Sequence, residues 1–180
     1  MAEIKRAQLI DPLSLIINVN IGVTYRDMRQ YDRAVDQYKK VLELDPNFPL
    51  ARANLGSVYL QQGKFDDAIA EYQKVRAVAG NEPRGFSGLG YAYARAGKKN
   101  DALQILNQLL ALSKQGFSLS YEIAFMHAGL GDKDQAFEWL NKAYEDHNER
   151  LRELKMEPAW DNFRSEPRFA DLLQRVGLEP

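Results

Sequence analysis

The chain has no cysteine among its 180 residues, so neither disulfide bonds nor thiolate metal sites can hold its fold together. The lack of cysteine is typical of a reducing compartment and favours the cytoplasm, while a location outside it stays open if a parent protein spans a membrane. Histidine is also scarce, because His127 and His147 are the only two. Neither has partners at a metal-binding spacing, so we expect no metal and no cofactor.

The chain also lacks an excess of charge of either sign and a long hydrophobic run. Its 24 Lys and Arg residues nearly balance its 25 Asp and Glu residues, for a formal net charge of -1. Nucleic-acid binding needs a basic surface that neutralises phosphates, so we expect none by this segment. The longest apolar cluster, Leu13–Ile17, is far shorter than the roughly 20 residues that span a bilayer, so we expect no membrane contact either.

Sequence motifs of common enzyme classes are missing as well. The pair Gly97-Lys98 has neither the upstream glycine nor the following hydroxyl residue of a phosphate-binding loop, and no His-Glu-x-x-His metal motif occurs. The glycines between Gly85 and Gly90 do not follow a predicted strand, as a dinucleotide-binding loop requires. We therefore assign no catalytic residue and expect that the chain is not an enzyme.

What the sequence does contain is an internal repeat with a period of 34 residues. Gly22, Gly56 and Gly90 follow one another at this interval. Such a period indicates a stack of similar helical units, each of which buries its apolar face against the next. Four other series keep the same register: Tyr25, Tyr59, Tyr93 and His127; Ala34, Ala68, Ala102 and Ala136; Gly63, Gly97 and Gly131; and Asp32, Asp66, Asn100 and Asp134.

The residue types in these series predict two helices in each repeat. A glycine inside a helix costs about 1 kcal/mol relative to alanine, so the Gly22 series indicates the close approach of a second helix. The Ala34 series is expected to supply the small surface of that second helix. The Gly63 series is expected to end the first helix in a left-handed conformation. The Asp32 series is expected to cap the N terminus of the second helix.

The repeat resembles the tetratricopeptide repeat. Its second copy reads Leu55-Gly56-Ser57-Val58-Tyr59, then Gly63-Lys64-Phe65-Asp66-Asp67-Ala68, then Tyr72, which is similar to the signature of that family. The resemblance implies an all-α, right-handed α-solenoid of antiparallel helical hairpins that binds proteins or peptides. It divides the chain into the second half of a truncated repeat at 1–14, repeats at 15–48, 49–82, 83–116 and 117–150, the last divergent, and a C-terminal cap at 151–180.

Both ends of the sequence depart from the repeat. Residues 1–14 match only the second half of a hairpin, so we expect a fragment of a longer polypeptide, with a short natural capping helix as the alternative. Near the C terminus, Ser165 is expected to cap a helix that covers the apolar edge of the last repeat. The apolar face of that helix contains Phe169, Leu172, Leu173 and Val176.

The C-terminal part carries a finer resemblance. The run Gly131–Tyr144, together with Arg164–Phe169, is similar to the tail of certain large bacterial signalling proteins. In those proteins, tetratricopeptide repeats follow a winged-helix DNA-binding domain, a serine/threonine kinase domain or a nucleotide cyclase domain. The resemblance implies a parent protein of this kind and does not select among the three.

The first helix of each repeat is expected to line a concave groove that binds the ligand. Asn20 and Asn54 recur at one place, where an asparagine of the family often bonds the backbone of an extended peptide; an amide suits this because it both donates and accepts. Arg84 and Arg95 could hold a carboxylate. The candidate groove residues are Asn20, Val23, Asn54, Ser57, Gln61, Arg84, Tyr91, Arg95 and Glu122.

The groove is also expected to be unusually apolar, which would suit an amphipathic helix or the apolar surface of a partner. The apolar residues expected to face it are Val19, Val23, Leu50, Leu60, Tyr91, Tyr121 and Phe125. A second hypothesis stays open beside the binding scaffold. The unpaired half-hairpin at 1–14 would favour a self-association or intramolecular regulatory module of a transcriptional regulator or kinase, with a homodimer as one form.

Overall fold

The computed structural model describes residue 6, residues 9–79 and residues 84–178. Within these residues the regular secondary structure is entirely helical. The α-helices with both ends described are α1 (Leu15–Asp27), α2 (Tyr31–Leu44), α3 (Pro49–Gln61), α4 (Phe65–Ala79), α5 (Arg84–Arg95), α6 (Lys99–Lys114), α7 (Ser120–Leu130), α8 (Lys133–Glu145) and α9 (Pro167–Arg175). Two 3₁₀ helices, Glu149–Glu153 and Pro158–Phe163, lie between α8 and α9.

Consecutive helices pair into hairpins, and the chain forms two compact units, residues 1–88 and residues 89–180. In the first unit α1 packs against α2, α2 against α3, and α3 against α4. In the second unit α6 packs against α7, and α7 packs against α8. The expected all-α architecture of stacked helical hairpins is therefore confirmed.

The hairpins of the first unit depend on a tyrosine that fits against a glycine of a neighbouring helix. A Cβ atom at Gly22 would lie 2.4 Å from Cε1 of Tyr38. At Gly56 it would lie 3.0 Å from one edge of the Tyr72 ring, and at Gly88 it would lie 2.5 Å from the other edge. The alanine series is fully buried, but the surface that requires each of these glycines is an aromatic ring and not a small residue.

The glycine series at the ends of the first helices has the expected left-handed backbone. Gly63, Gly97 and Gly131 have φ angles of 72°, 75° and 80°. A Cβ atom at any of them would meet nothing within 4 Å, so glycine is required by the backbone conformation and not by crowding. The prediction that these glycines end the first helices is confirmed.

The aspartate series does not cap the second helices as expected. α8 begins at Lys133, so Asp134 lies within its first turn, and Asp32 takes the same place in α2. A carboxylate in the first turn still faces the positive end of the helix dipole, which explains the recurrence of acidic residues there. The cap of α8 is Asp132, whose side chain accepts a hydrogen bond from the Gln135 N–H at 3.2 Å.

Two polar pairs join the helices of the first two hairpins at equivalent positions. The Gln37 side-chain amide donates to Oδ1 of Asn18 at 2.7 Å, and Nη1 of Arg52 donates to Oε2 of Glu71 at 2.6 Å. The second pair follows the first by one period on both helices. Because both pairs are largely excluded from water, each partner satisfies a group that would otherwise be buried alone. Neither pair was evident from the sequence, where a polar residue gives no signal until its partner is placed.

α9 continues the repeat beyond the last hairpin. Arg168 donates to Asp134 at 2.8 Å and Arg175 donates to Asn141 at 2.9 Å, and both spacings equal the period of the repeat. α9 therefore lies beside α8 and runs in the same direction. The side chains that α9 buries are Phe169, Leu172 and Leu173.

Ser165 does not cap α9 as expected. The helix begins at Pro167, and Glu166 takes the capping position without bonding the helix through its side chain. The Glu166 carboxylate instead accepts a hydrogen bond from Nζ of Lys133 at 2.8 Å, and this bond holds the pKa of Glu166 below its usual value. Pro167 takes the first helical position, where proline is favoured, and Glu166 bonds a residue of α8 that the local sequence does not reveal.

Gly22→Ala is expected to lower the free energy of unfolding by about 1–3 kcal/mol, because the new methyl group would overlap the Tyr38 ring. Gly56→Ala is expected to cost less, because its Cβ would meet the Tyr72 ring at 3.0 Å and not at 2.4 Å. The better helix propensity of alanine offsets about 1 kcal/mol in both variants. Urea unfolding followed by circular dichroism measures both losses.

The matched control is Lys40→Ala, at an exposed position of α2, which is expected to change stability by less than about 0.5 kcal/mol. Equal losses in the two glycine variants would contradict the explanation, because the ring lies closer to the backbone at Gly22 than at Gly56.

Candidate protein-binding site

The first helices of the first unit share a face that is open to solvent. On α1 this face carries Asn20, which is exposed, and Val23, which is half-buried; on α3 it carries the half-buried Asn54, Ser57 and Gln61. Residues three and four apart lie on one side of a helix, and α1 contacts α3, so these side chains form one surface. We call these five residues the α1–α3 face.

Asn54 is fixed at the centre of this face by two hydrogen bonds. Its Oδ1 accepts from Nη1 of Arg26 on α1 at 3.2 Å, and its Nδ2 donates to the Leu50 carbonyl at 2.8 Å. Arg26 also pairs with Asp27 at 3.0 Å, so its charge is compensated on the same helix. A side-chain amide has two donors and two acceptor lone pairs, and Asn54 therefore keeps one donor and one lone pair beyond these bonds.

The structure corrects two of the expected groove residues. Tyr91 is 3% exposed and Glu122 is 1% exposed, so neither side chain lines an open groove. Burial raises the pKa of Tyr91, and its ring stacks on Phe125 with the centroids 4.4 Å apart. Arg95 is exposed and donates to the Tyr91 hydroxyl at 3.1 Å. The side chain of Arg84 lies outside the described residues.

The expectation of an unusually apolar groove is also corrected. Val19, Leu60 and Tyr121 are 1%, 8% and 0% exposed, so they belong to the core. Leu50 remains open to solvent at 46%. Helical periodicity shows which residues share a face. It does not show which face contacts the neighbouring helices when both faces carry apolar residues. In this chain the neighbouring helices cover most of the apolar side chains. Four of the five residues of the α1–α3 face are uncharged and polar, and Ile16 and Leu50 are exposed on the same two helices.

In the second unit the chain itself covers the corresponding face of α7. The Trp160 side chain, 0% exposed, lies against Tyr121 and Phe125 with ring centroids 5.8 and 6.2 Å away. Its indole N–H donates to the Tyr121 hydroxyl at 3.0 Å. Phe163 lies 5.3 Å from Trp160 and 5.4 Å from Phe137 of α8, so the aromatic contacts are continuous from α7 to α8.

A charged cluster lies beside these rings. Nη1 of Arg150 donates to Oε1 of Glu122 at 3.2 Å, and Nη2 of Arg150 donates to Oε2 of Glu153 at 3.0 Å. The guanidinium group also lies 4.5 Å from the centre of the Tyr121 ring, where a cation is attracted by the π electrons. Burial raises the pKa of Tyr121, so its hydroxyl stays protonated at neutral pH. The Oε2 atom of Glu122 has no hydrogen-bond partner among the described residues.

The sequence indicated only part of the contacts around Trp160. Trp160 and Phe163 stand out as large aromatic residues in a turn-rich segment, and a cap over the edge of the last repeat was expected there. The sequence did not indicate that the segment would lie on the face of α7, because that depends on how α9 packs against α8.

Neither a metal cluster nor a membrane-spanning helix is present in the described ranges. No group of three or more His, Cys, Asp or Glu side chains there is placed to hold a metal ion. No helix in the described part of the chain is both long and apolar enough to cross a membrane. His127, in the tyrosine position of the repeat, lies 3.8 Å from Asp132 through Nδ1, and burial lowers its pKa.

Comparison with known proteins agrees with the helical hairpins described above. Sequence models of the tetratricopeptide repeat match residues 22–63, 49–115 and 87–149, so the matches extend over most of the chain. The chain therefore belongs to the tetratricopeptide repeat family. No curated protein sequence matches it significantly.

Solved structures of several repeat proteins are similar in fold. TTC0263, a thermophilic TPR protein of Thermus thermophilus, is 20% identical, with a TM-score of 0.60, over 89% of this chain and 100% of that chain. MamA of Desulfovibrio magneticus RS-1 is 22% identical, with a TM-score of 0.57, over 81% of this chain and 83% of its own. YrrB, a TPR protein with an unusual peptide-binding site, is 17% identical, with a TM-score of 0.56, over 98% and 92%. At these identities the likeness shows the fold alone.

His127→Tyr is expected to flatten the pH dependence of stability between pH 7 and pH 5. The pKa of His127 in the folded chain is lowered from 6.5, so the unfolded chain takes up this proton first as the pH falls. The wild-type chain should therefore lose stability through this histidine below about pH 7, by at most about 1.4 kcal/mol per pH unit for a single proton. Urea unfolding at several pH values measures the difference.

The matched control is His147→Asn, at the exposed second histidine, whose φ of 51° asparagine tolerates. This control separates His127 from the second histidine of the chain. A wild-type slope that His127→Tyr leaves unchanged would show that other groups produce it.

Proposed function

We propose that this repeat scaffold binds an extended peptide segment on the α1–α3 face. Chains of this family are interaction scaffolds for proteins and peptides, and they are typically non-catalytic. The observation that supports the proposal is the position of Asn54, which Arg26 and the Leu50 carbonyl hold in one orientation while half of its bonding capacity stays available. A side chain fixed before the ligand arrives loses less entropy on binding.

The composition of the face indicates the class of ligand. Asn20, Asn54, Ser57 and Gln61 are uncharged donors and acceptors at helical spacing, which suits the N–H and C=O groups of a peptide backbone. The compensated charge of Arg26 removes the local cation that a terminal carboxylate would need. We therefore infer that the ligand is an internal segment of a peptide and not its free C terminus. The peptide-binding site of YrrB gives a precedent for this use of the fold.

We further infer that the chain belongs to a bacterial signalling protein of the kind that carries a winged-helix, kinase or cyclase domain. This inference is supported by the run Gly131–Tyr144 and by Arg164–Phe169, whose pattern resembles the tails of those proteins. The role of the α1–α3 face would then be to recruit a partner to the regulatory domain.

Self-association is the second candidate function, and one observation favours it. Leu9, Ile10 and Leu13 are 85%, 81% and 70% exposed. The exposure of three large apolar side chains so close in sequence is unfavourable in water, and their burial against a second surface is favourable. The other residues of the half-hairpin that was expected at 1–14 lie mainly outside the described residues.

The α1–α3 face is tested by Asn54→Ala and by Ser57→Arg. Peptides of twelve residues are first selected from a random display library on the wild-type chain, and their affinities are measured by calorimetry. Asn54→Ala is expected to weaken binding about tenfold, the loss of one to two hydrogen bonds to the peptide. Ser57→Arg is expected to abolish it, because the long cation fills the centre of the face.

Lys40→Ala, on α2 and away from this face, is the matched control and should bind like the wild type. Circular dichroism establishes that each variant is folded. Selected peptides that bind both face variants with unchanged affinity would refute the proposal.

Leu9→Ser combined with Ile10→Ser tests self-association. Sedimentation velocity of the wild-type chain should give a concentration-dependent increase in mass that the double variant lacks, because the exposed apolar area is removed. A wild-type chain that stays monomeric at 100 micromolar, on the order of the concentrations where weak interfaces associate, would rule this candidate out.

A further inference from the structure

We propose that the face of α7 is a second recognition site, for an acidic protein segment that carries a tryptophan, and that residues 157–163 of this chain are its resident occupant. A partner segment of the same chemistry would compete with the occupant and displace it. The proposal rests on the proposed function of a peptide-binding scaffold, but it concerns a different face of the chain.

The receiving surface is built from aromatic side chains that enclose one indole ring. Tyr121 and Phe125 contact Trp160 edge to face, and Tyr91 stacks behind Phe125. The Tyr121 hydroxyl accepts the indole N–H, so the pocket recognises the polar atom of tryptophan as well as its apolar surface. A phenylalanine in place of Trp160 would fill part of this space and would leave the hydroxyl without its donor.

The occupant also matches the surface in charge. Burial is the main cause of the raised pKa of Tyr91, and the charges of Glu157 and Asp161 add to it; the Tyr91 hydroxyl accepts a hydrogen bond from Arg95 at 3.1 Å. The two acidic side chains on either side of the tryptophan therefore act on the hydroxyl that Arg95 contacts, while Asp161 also accepts a hydrogen bond from Arg164 at 2.8 Å. This arrangement is that of a short ligand with an apolar anchor and a complementary charged rim.

The occupant is held by its side chains and not by a backbone ladder. Its backbone bonds are local, as in the bond from the Trp160 N–H to the Glu157 carbonyl at 3.1 Å, and 3₁₀ geometry makes such bonds weaker than those of an α-helix. Asp161 and Asn162 are exposed, so one side of the segment already faces water. A segment of this kind can leave as a unit while the hairpin of α7 and α8 stays folded.

One carboxylate oxygen of α7 is buried without a partner in the described part of the chain. Glu122 is 1% exposed, and its Oε2 atom has no hydrogen-bond partner among the residues that the structure describes. A buried carboxylate oxygen without a donor destabilises the closed arrangement. A competing segment that adds a donor at this atom would gain a bond that residues 157–163 do not make.

Trp160→Ala in the full chain tests the site, with a fluorescein-labelled peptide of the sequence of residues 156–163 as the probe. Fluorescence anisotropy should show the peptide binding the variant at least tenfold more tightly than the wild type, whose site is filled. The same peptide with alanine in place of its tryptophan should not bind. Trp160→Phe should give an intermediate affinity. Peptide that binds the variant no better than the wild type would overturn the proposal.

Hydrogen exchange of the wild-type chain decides the matter even if Trp160→Ala does not fold. The amides of residues 157–163 should exchange at least tenfold faster than those of α7 and α8, because the segment opens while the hairpin stays closed. Exchange of all three regions at one common rate would make the segment an inseparable part of the fold and would refute the proposal.

Trp139→Phe offers a second readout, because Trp160 is then the only tryptophan of the chain. Addition of an unlabelled competitor peptide, with the non-fluorescent 4-fluorotryptophan at its anchor position, should shift the Trp160 emission to longer wavelength as the residue enters water. Asn54→Ala should leave this shift unchanged. Failure at α7 and failure at the α1–α3 face are therefore distinguishable.

Discussion

The packing of an aromatic ring onto bare backbone is the contact on which the first unit depends. Tyr38 is 0% exposed and lies against Gly22, and Tyr72 lies between Gly56 and Gly88. The Tyr38 hydroxyl has no hydrogen-bond partner among the described residues, and burial raises its pKa, so the ring itself supplies the stabilisation. Because the ring fills the space between two helices, it fixes their separation and leaves the opposite side of α1 and α3 open to solvent.

In the second unit, different side chains pack against the glycine of the repeat. A Cβ atom at Gly90 would meet Sδ of Met126 at 2.4 Å and Cγ2 of Ile105 at 2.8 Å, so flexible aliphatic side chains replace the tyrosine ring. Several aromatic residues of this unit contact one another around Trp160, on the face that the first unit leaves open, and the Tyr91 ring also lies against Gly129. One repeat pattern therefore yields an amide-rich open face in one unit and a covered aromatic face in the other.

The two faces have different consequences for binding. The α1–α3 face presents uncharged donors and acceptors, and Arg26 holds one of them in place. The face of α7 is covered by Trp160, which contacts Tyr121 and Phe125. On α7 the buried Glu122 carboxylate is paired with Arg150 at 3.2 Å, so the segment that follows α8 also covers a charge there.

The sequence by itself determined the family, the helical hairpins and the left-handed glycines, because a period of 34 residues and a required backbone conformation are local properties that survive without neighbours. It also indicated Asn20 and Asn54 as solvent-accessible members of one face. Only the tertiary structure decided which apolar residues of the first helices are buried, and it removed Tyr91 and Glu122 from the open groove. It also decided the partners of Asn18, Arg52 and Glu166 and the place of Trp160. These features depend on contacts between residues far apart in the chain, and a repeat pattern does not show which distant side chains come into contact.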